Sequence, residues 1–483
     1  MTTTSQINVH ANSGNRDSSW SFRDPGGRLI SINGRILRLV HPAFSSQLAA
    51  ALSSGTVQQL TREHKIVTTE AHVSDVPAEV EDQLRANPGA TLVEHEVIWF
   101  PSFPHEWAPE MLYAAGELTL DVAEAIVADG LGLKDGTPFN VLFRGSQPVF
   151  IDVLSIETRD SHDPVWLPYA QFVRTFLLPL LANRYSATPL SRVFTVNREG
   201  LEPEDVYRSV GWSQRMRPSY LGLVTLPTWF TARTNPNDDS IYRAKRLNNS
   251  EQARFVLRGI LRKLRKRLRK LQPPLRESAW SGYTEMTHYS DQQTATKLNF
   301  VQAALNGGTN RVLDIGCNTG TYSFACAKKG AQVVALDYDP IVVGRLWRQA
   351  SKEQLHVLPL CVNLAQPTPA LGWRNQECRS FLDRACGKFD TVLMLAVIHH
   401  LLVTERVPLL DILGLAAELT RQRAIIEFVP NTDPMFRRLL RGRESLHHDY
   451  TQEVFEQACS RFFRIVRKQQ LGSEARCLYL LEK

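Results

Sequence analysis

The residues with the clearest chemical signature lie in Val312-Leu313-Asp314-Ile315-Gly316-Cys317-Asn318-Thr319-Gly320. An apolar run ends there in a glycine-bearing turn, and helix-forming residues follow. A strand, turn and helix of this kind seat a cofactor. Gly316 permits the tight bend, Gly320 a close approach of ligand, and the amides that open the helix face a polar group. Asn318 stands where a middle glycine is common. Twenty-one residues beyond Gly316, Asp337 closes the next apolar run, where a carboxylate accepts both hydroxyls of a ribose. Asn363 closes the third run, and its amide oxygen can accept from an adenine amino group. Asp314 would repel a pyrophosphate and suits a cationic amino-acid sulfonium. The expected cofactor is therefore S-adenosylmethionine, held by Asp314, Gly316, Asn318, Gly320, Asp337 and Asn363. The bland alternative is that the glycines serve only a tight strand-to-helix turn.

Methyl transfer from a sulfonium is an in-line displacement with a good leaving group, so holding donor and acceptor in contact supplies most of the rate. A general base is optional. Candidates fall at the carboxyl edge of the expected sheet: His399 and His400 after the fourth strand, and Glu427 on the fifth. Each has a structural alternative, the histidines as packed residues closing the pocket and Glu427 as an anchor for the following loop. Metal chemistry is not indicated. The cysteines, from Cys317 to Cys477, are seven in number with no C-x-x-C pair, which predicts reduced thiols rather than disulfides or a zinc knuckle.

The elements that must position these residues alternate at short spacing from Asn310 onward, the pattern of a mostly parallel sheet covered on both faces. Strands are expected at Arg311–Ile315, Gln332–Leu336, His356–Val362, Thr391–Ala396 and Ala424–Val429. Gly330 should cap the first helix, and Asp339-Pro340 and Asp433-Pro434 each read as an N-cap followed by proline at the first helical position. Phe463–Arg467 and Arg476–Leu481 should form a terminal hairpin. A parallel set closed by an antiparallel hairpin is the seven-stranded, Rossmann-like architecture of class I methyltransferases.

The first half mixes helix and strand. A hairpin around Asn33-Gly34, a strand at Val97–Phe100, a helix over Glu110–Gly130 and a strand at Pro148–Leu154 predict an α+β domain. Asp135, in Leu133-Lys134-Asp135-Gly136, with Asn140 and Asp152, resembles a kinase-type catalytic loop and metal strand. In a phosphotransferase Asp135 would orient the acceptor while Asn140 and Asp152 held magnesium. Against activity, no glycine-rich phosphate loop is evident, and the early strand reads Ile36-Leu37-Arg38-Leu39 where a lysine is needed.

With 483 residues the chain is expected to hold more than one domain. The reading divides it into a disordered leader (1–20), the α+β domain (21–240), a basic amphipathic linker helix (241–274) and the methyltransferase domain (275–483). The net charge of +7 is local, since 254–276 carries ten basic residues and no acid. In that helix Leu257, Leu261, Leu264 and Leu268 recur at helical spacing with Arg and Lys opposite. A packed connector is the expected role; nucleic acid or an anionic membrane surface is the alternative partner. No window is long and apolar enough to span a bilayer, and a cytoplasmic location is expected. The remaining partner is a substrate with a polar nucleophile, which the sequence does not identify.

The runs Leu358-Pro359-Leu360, Asn363 to Trp373, Ile398-His399-His400-Leu401 and Ile426-Glu427-Phe428-Val429-Pro430, with Asp433-Pro434, resemble the host-specific nodulation protein family of rhizobia and its bacterial relatives, which are methyltransferase-like proteins. The likeness extends to Trp280-Ser281-Gly282-Tyr283, Tyr289-Ser290-Asp291, Lys297, His105-Glu106-Trp107 and Phe150-Ile151-Asp152, and so covers most of the chain. It implies a cytosolic methyltransferase tied, in some members, to modification of a secreted signal or polysaccharide. Asn363 departs from the Asp of that family's pattern.

Overall fold

A computed structural model describes residues 24–231, 246–278, 291–305, 311–440, 447–472 and 476–483. The expected leader, the polar segment near 234–240 and the Trp280–Tyr283 run lie outside the described residues.

From residue 311 onward, seven strands form one sheet: β9 (Arg311–Ile315), β10 (Gln332–Asp337), β11 (Val357–Cys361), β12 (Phe389–Met394), β13 (Thr420–Phe428), β14 (Arg464–Gln470) and β15 (Cys477–Glu482). Their order is β11-β10-β9-β12-β13-β15-β14. The first five run parallel, while β15 lies antiparallel between β13 and β14. This is the class I methyltransferase topology that the terminal hairpin predicted. Alternation along the strands sorts the core. Val312, Val333, Ala335, Leu393 and Ile425 face one layer with Phe300, Phe324 and Leu346. Leu313, Val334, Leu358, Val392 and Ile426 face the other.

That second face does not end at the sheet. Its apolar cluster continues into the first half through Phe100, Trp107 and Met111. There β1 (Gly27–Ile32) and β2 (Arg35–Val40) form a hairpin whose Asn33 and Gly34 both take positive φ, 52° and 77°, the geometry a two-residue turn needs. With β3 (Thr69–Glu70) and β4 (Thr91–His95) they make a four-stranded antiparallel sheet, confirming a separate α+β region.

One expected strand is not formed. Val97–Phe100 lies beyond β4 and is irregular. Its aromatic residues are spent on the other half, Trp99 and Phe100 packing on Phe389 with ring centroids 5.9 and 5.7 Å apart, and Pro101 has no N–H for a ladder.

The basic helix (Ser250–Lys270) is a packed connector. Leu257, Leu261, Leu264 and Leu268 are buried against the Pro109–Ile126 helix. Gly116 leaves room for that approach, since a Cβ there would stand 3.2 Å from Leu268. Arg265 joins the helices further by ion pairs to Glu117, Asp121 and Glu124.

Candidate active site

The turn after β9 is held by backbone. The amides of Gly316 and Cys317 both donate to the Leu336 carbonyl, at 2.8 and 2.9 Å, which ties the turn to β10. Gly316, Asn318 and Gly320 all have positive φ, 72°, 48° and 92°. Gly316 takes the left-handed backbone that the expected tight bend requires. A Cβ on Gly320 would lie 2.7 Å from Leu346, and one on Gly316 would lie 2.4 Å from Val397. A side chain at either position would clash with these neighbours, so left-handed backbone and tight packing both call for glycine.

Asp337 ends β10 against this turn. One carboxylate oxygen accepts from the Asn318 amide and the other from the Asp339 amide, both at 3.0 Å. Asp339 is the expected N-cap, accepting from the Ile341 amide at 2.8 Å. Asn363 follows β11, and its Oδ1 accepts from the Ala365 amide at 3.0 Å, leaving one lone pair of that oxygen.

Asp314, on β9, is 2% exposed and accepts from Ser323 Oγ at 2.5 Å. Burial pushes its carboxyl up to about 6, Ser323 opposes the shift, and the Asp337 charge adds to it. Burial also raises Asp337, against the Asp339 and Asn318 amides that stabilise its charge. Among the described residues no Lys or Arg forms an ion pair with either acid. The turn is thus bounded by two carboxylates that lack a counter-charge, a cradle that favours a cation and disfavours a pyrophosphate.

At the carboxyl edge, Glu427 on β13 is fully buried and accepts from Lys297 Nζ at 2.7 Å. Arg476, ahead of β15, reaches Glu427 at 3.5 Å and Asp433 at 2.7 Å. Asp433 in turn caps the Pro434–Leu440 helix, accepting from the Met435 amide at 2.8 Å. His399 is fully buried beside this network, and among the described residues neither ring nitrogen has a hydrogen-bond partner. Burial, then His400, Arg476 and Lys297, hold it well below the ordinary histidine range, so it is neutral. His400 is also lowered by burial; its ring centroid lies 4.2 Å from that of His399. Tyr322 connects the two parts of the site: burial, then Glu427 and Asp314, push its phenol up. Sequence reasoning missed Ser323, Tyr322 and Arg476 and cited Lys297 only within the resemblance. Lys297 and Arg476 meet Glu427 from 130 and 49 positions away, and Ser323 meets Asp314 across the turn, contacts for which residue type and spacing carry no signal.

In the first half, Asp135, Asn140 and Asp152 come from the segments flanking β6 (Val141–Arg144) and β7 (Gln147–Phe150). The Asp152 charge contributes to raising Asp135, after burial. Asp152 is engaged by a cation of the protein itself, Arg38 Nη1 on β2, at 2.9 Å. Arg38 also pairs with Asp24.

A methyltransferase domain model matches residues 313–421, which contain the turn, Asp337, Asn363 and the histidine pair. With this strand order, the chain is an S-adenosylmethionine-dependent methyltransferase. The nodulation protein NoeA of Rhizobium meliloti strain 1021 is 30% identical over 470 residues, covering 96% of this chain and 95% of that protein. The chain belongs to the family of that nodulation protein. A ubiquinone biosynthesis O-methyltransferase of Xanthomonas oryzae pv. oryzae strain PXO99A is 31% identical over 104 residues, 22% of this chain and 38% of the relative. Among solved structures, the magnesium protoporphyrin IX methyltransferase of Synechocystis PCC 6803 superimposes with a TM-score of 0.29 at 20% identity, over 40% of this chain and 82% of that one.

Proposed function

We propose that the segment 275–483 moves the methyl group of S-adenosylmethionine to an oxygen or nitrogen acceptor, with the first half (21–240) and the basic connector (241–274) serving as its support. The observation that carries this reading is the pair of carboxylates, Asp314 and Asp337, facing the glycine turn without a cation. Asp337 supports a ribose from the end of β10, and Asn363 supports the adenine. Asp314 and Ser323 support the cationic amino-acid end. The cofactor supplies an electrophilic methyl on a good leaving group.

The chain's own residues orient the acceptor and exclude water. His400 is the proposed base, because it is the partly exposed member of the pair, while His399 is fully buried and too weak a base. Glu427 is a positioning residue, since Lys297 and Arg476 already hold its charge. The relation to a nodulation protein supports an acceptor within a secreted signal or polysaccharide, and supports a cytoplasmic site of action. Among the described residues no helix is long and apolar enough to cross a membrane.

Calorimetry tests the cofactor reading. S-adenosylmethionine and its demethylated product should both bind, a dinucleotide should not, and Asp337→Ala should abolish binding. The alternative, a phosphotransferase in the first half, is disfavoured by the Arg38–Asp152 ion pair, which takes up the carboxylate that magnesium would need. Nucleotide with magnesium should therefore show no hydrolysis; turnover lost in Asp135→Asn would reverse the ranking.

A further inference from the structure

The connector helix is half explained by its packing. Its buried stripe lies on the Pro109–Ile126 helix, and among the described residues Arg265 is the central basic residue that pairs with acids. The opposite face exposes Arg254, Arg258, Arg262, Lys266 and Lys270 at steps of four residues, with Lys263 beside them. From 254 to 270 no acid lies among them, and Glu251 stands at the N-terminal end of the same face. Like charges four residues apart weaken a helix, and a solvated face gains nothing from four such pairs in succession. An anionic surface lying against it turns that repulsion into attraction.

Phe255 is 70% exposed and Val256 41% exposed on this helix. At 3.6 residues per turn Phe255 falls in angle between Arg262 and Lys266, at the middle of the basic face and opposite the buried leucines. We propose that this face docks on a membrane surface rich in anionic phospholipid headgroups, with Phe255 entering the headgroup layer and the Arg and Lys side chains spread around it. An exposed aromatic ring at the centre of a basic face suits a headgroup layer, which takes the ring into its apolar boundary while the cations stay among the phosphates. The proposal does not rest on the acceptor reading above.

Docking there would also orient the cofactor edge. Beyond the helix, the Pro273 carbonyl accepts from Arg348 and the Arg276 carbonyl from Arg345 at 2.7 Å, both on the helix Pro340–Lys352 that Asp339 caps. The connector thus runs directly into the element that follows Asp337.

The full-length protein should co-sediment with vesicles of equal parts phosphatidylglycerol and phosphatidylcholine, and not with phosphatidylcholine alone. Binding should fall steeply with salt. The triple variant Arg258→Glu, Arg262→Glu, Lys266→Glu should lose at least about 100-fold in partitioning. Phe255→Ser should lose several-fold and keep the salt dependence. Unchanged melting and S-adenosylmethionine binding will show that the variants are folded. Equal binding to neutral vesicles, no binding to either vesicle, or unaltered binding by the triple variant overturns the proposal. So does displacement from the vesicles by RNA at equal phosphate concentration, which would assign the face to nucleic acid.

Discussion

Asp314 and Asp337 approach the same turn from neighbouring strands, and among the described residues no Lys or Arg pairs with either. For Asp314 the consequence is a sign as well as a size. Its folded value of about 6 lies above the ordinary 3.8, so the fold retains a proton that the unfolded chain releases. Stability should therefore fall as pH rises from about 4 to about 6 and stay level above, by about 3 kcal/mol at ~1.4 kcal/mol per unit. Asp314→Asn should flatten that slope, as denaturant titrations across the interval will show. A cationic ligand needs the ionised form, so S-adenosylmethionine should bind more tightly as pH rises to about 6, and Asp314→Asn should erase this dependence. Asp337→Asn keeps one acceptor and loses the charge. It should weaken binding about 10- to 100-fold by calorimetry, the range of a hydrogen bond to a charged group.

At the scale of elements, the ion pair between Lys297 and Glu427 joins the Asp291–Ala304 helix to β13 inside the protein. Burial lowers the Lys297 ammonium despite Glu427, so the pair is held against its desolvation cost. Lys297→Met should cost about 3–5 kcal/mol in urea unfolding, because it takes the closest cation from a carboxylate that stays buried. The double variant with Glu427→Leu should recover most of the loss. None of this was legible in the sequence, where Lys297 and Glu427 lie 130 positions apart. What was legible followed local rules. The alternation of apolar residues gave β9 to β13, and Asp339-Pro340 and Asp433-Pro434 capped the helices they precede. The basic helix revealed its buried stripe through leucine spacing. The failures were tertiary. Val97–Phe100 has the residues of a strand but packs its aromatics across the interface, and Gly320 is required by Leu346 of a later helix. The kinase-like triplet was visible as residue types, but the Arg38 contact that engages Asp152 spans 114 positions and leaves no spacing signal.

The whole molecule is built around a junction that is both apolar and charged. Phe100, Trp107 and Met111 continue the core of the sheet, so the two halves share buried surface. Within it Glu106 is fully buried, paired with Arg384 and accepting from Thr368 Oγ1 at 2.6 Å. Trp347 donates to the Ser146 carbonyl at 3.0 Å, and Arg348 pairs with Glu110 at 3.1 Å. Burial opposes the Glu106 charge, but Arg384, His105 and Thr368 hold its carboxyl below the usual range. A lowered acid contributes stability that is present above its unfolded value and lost as pH falls through its folded one. The junction should therefore weaken in acid, opposite in sign to Asp314. A shared core of this kind predicts a single calorimetric transition for the intact protein near neutral pH. Arg384→Met removes the cation and leaves Glu106 uncompensated in the same apolar surround. It should cost about 3–5 kcal/mol and split the transition in two, the first half and the methyltransferase domain then melting separately. A variant that keeps one sharp transition within about 1 kcal/mol of the parent would mean that the aromatic contacts alone couple the halves.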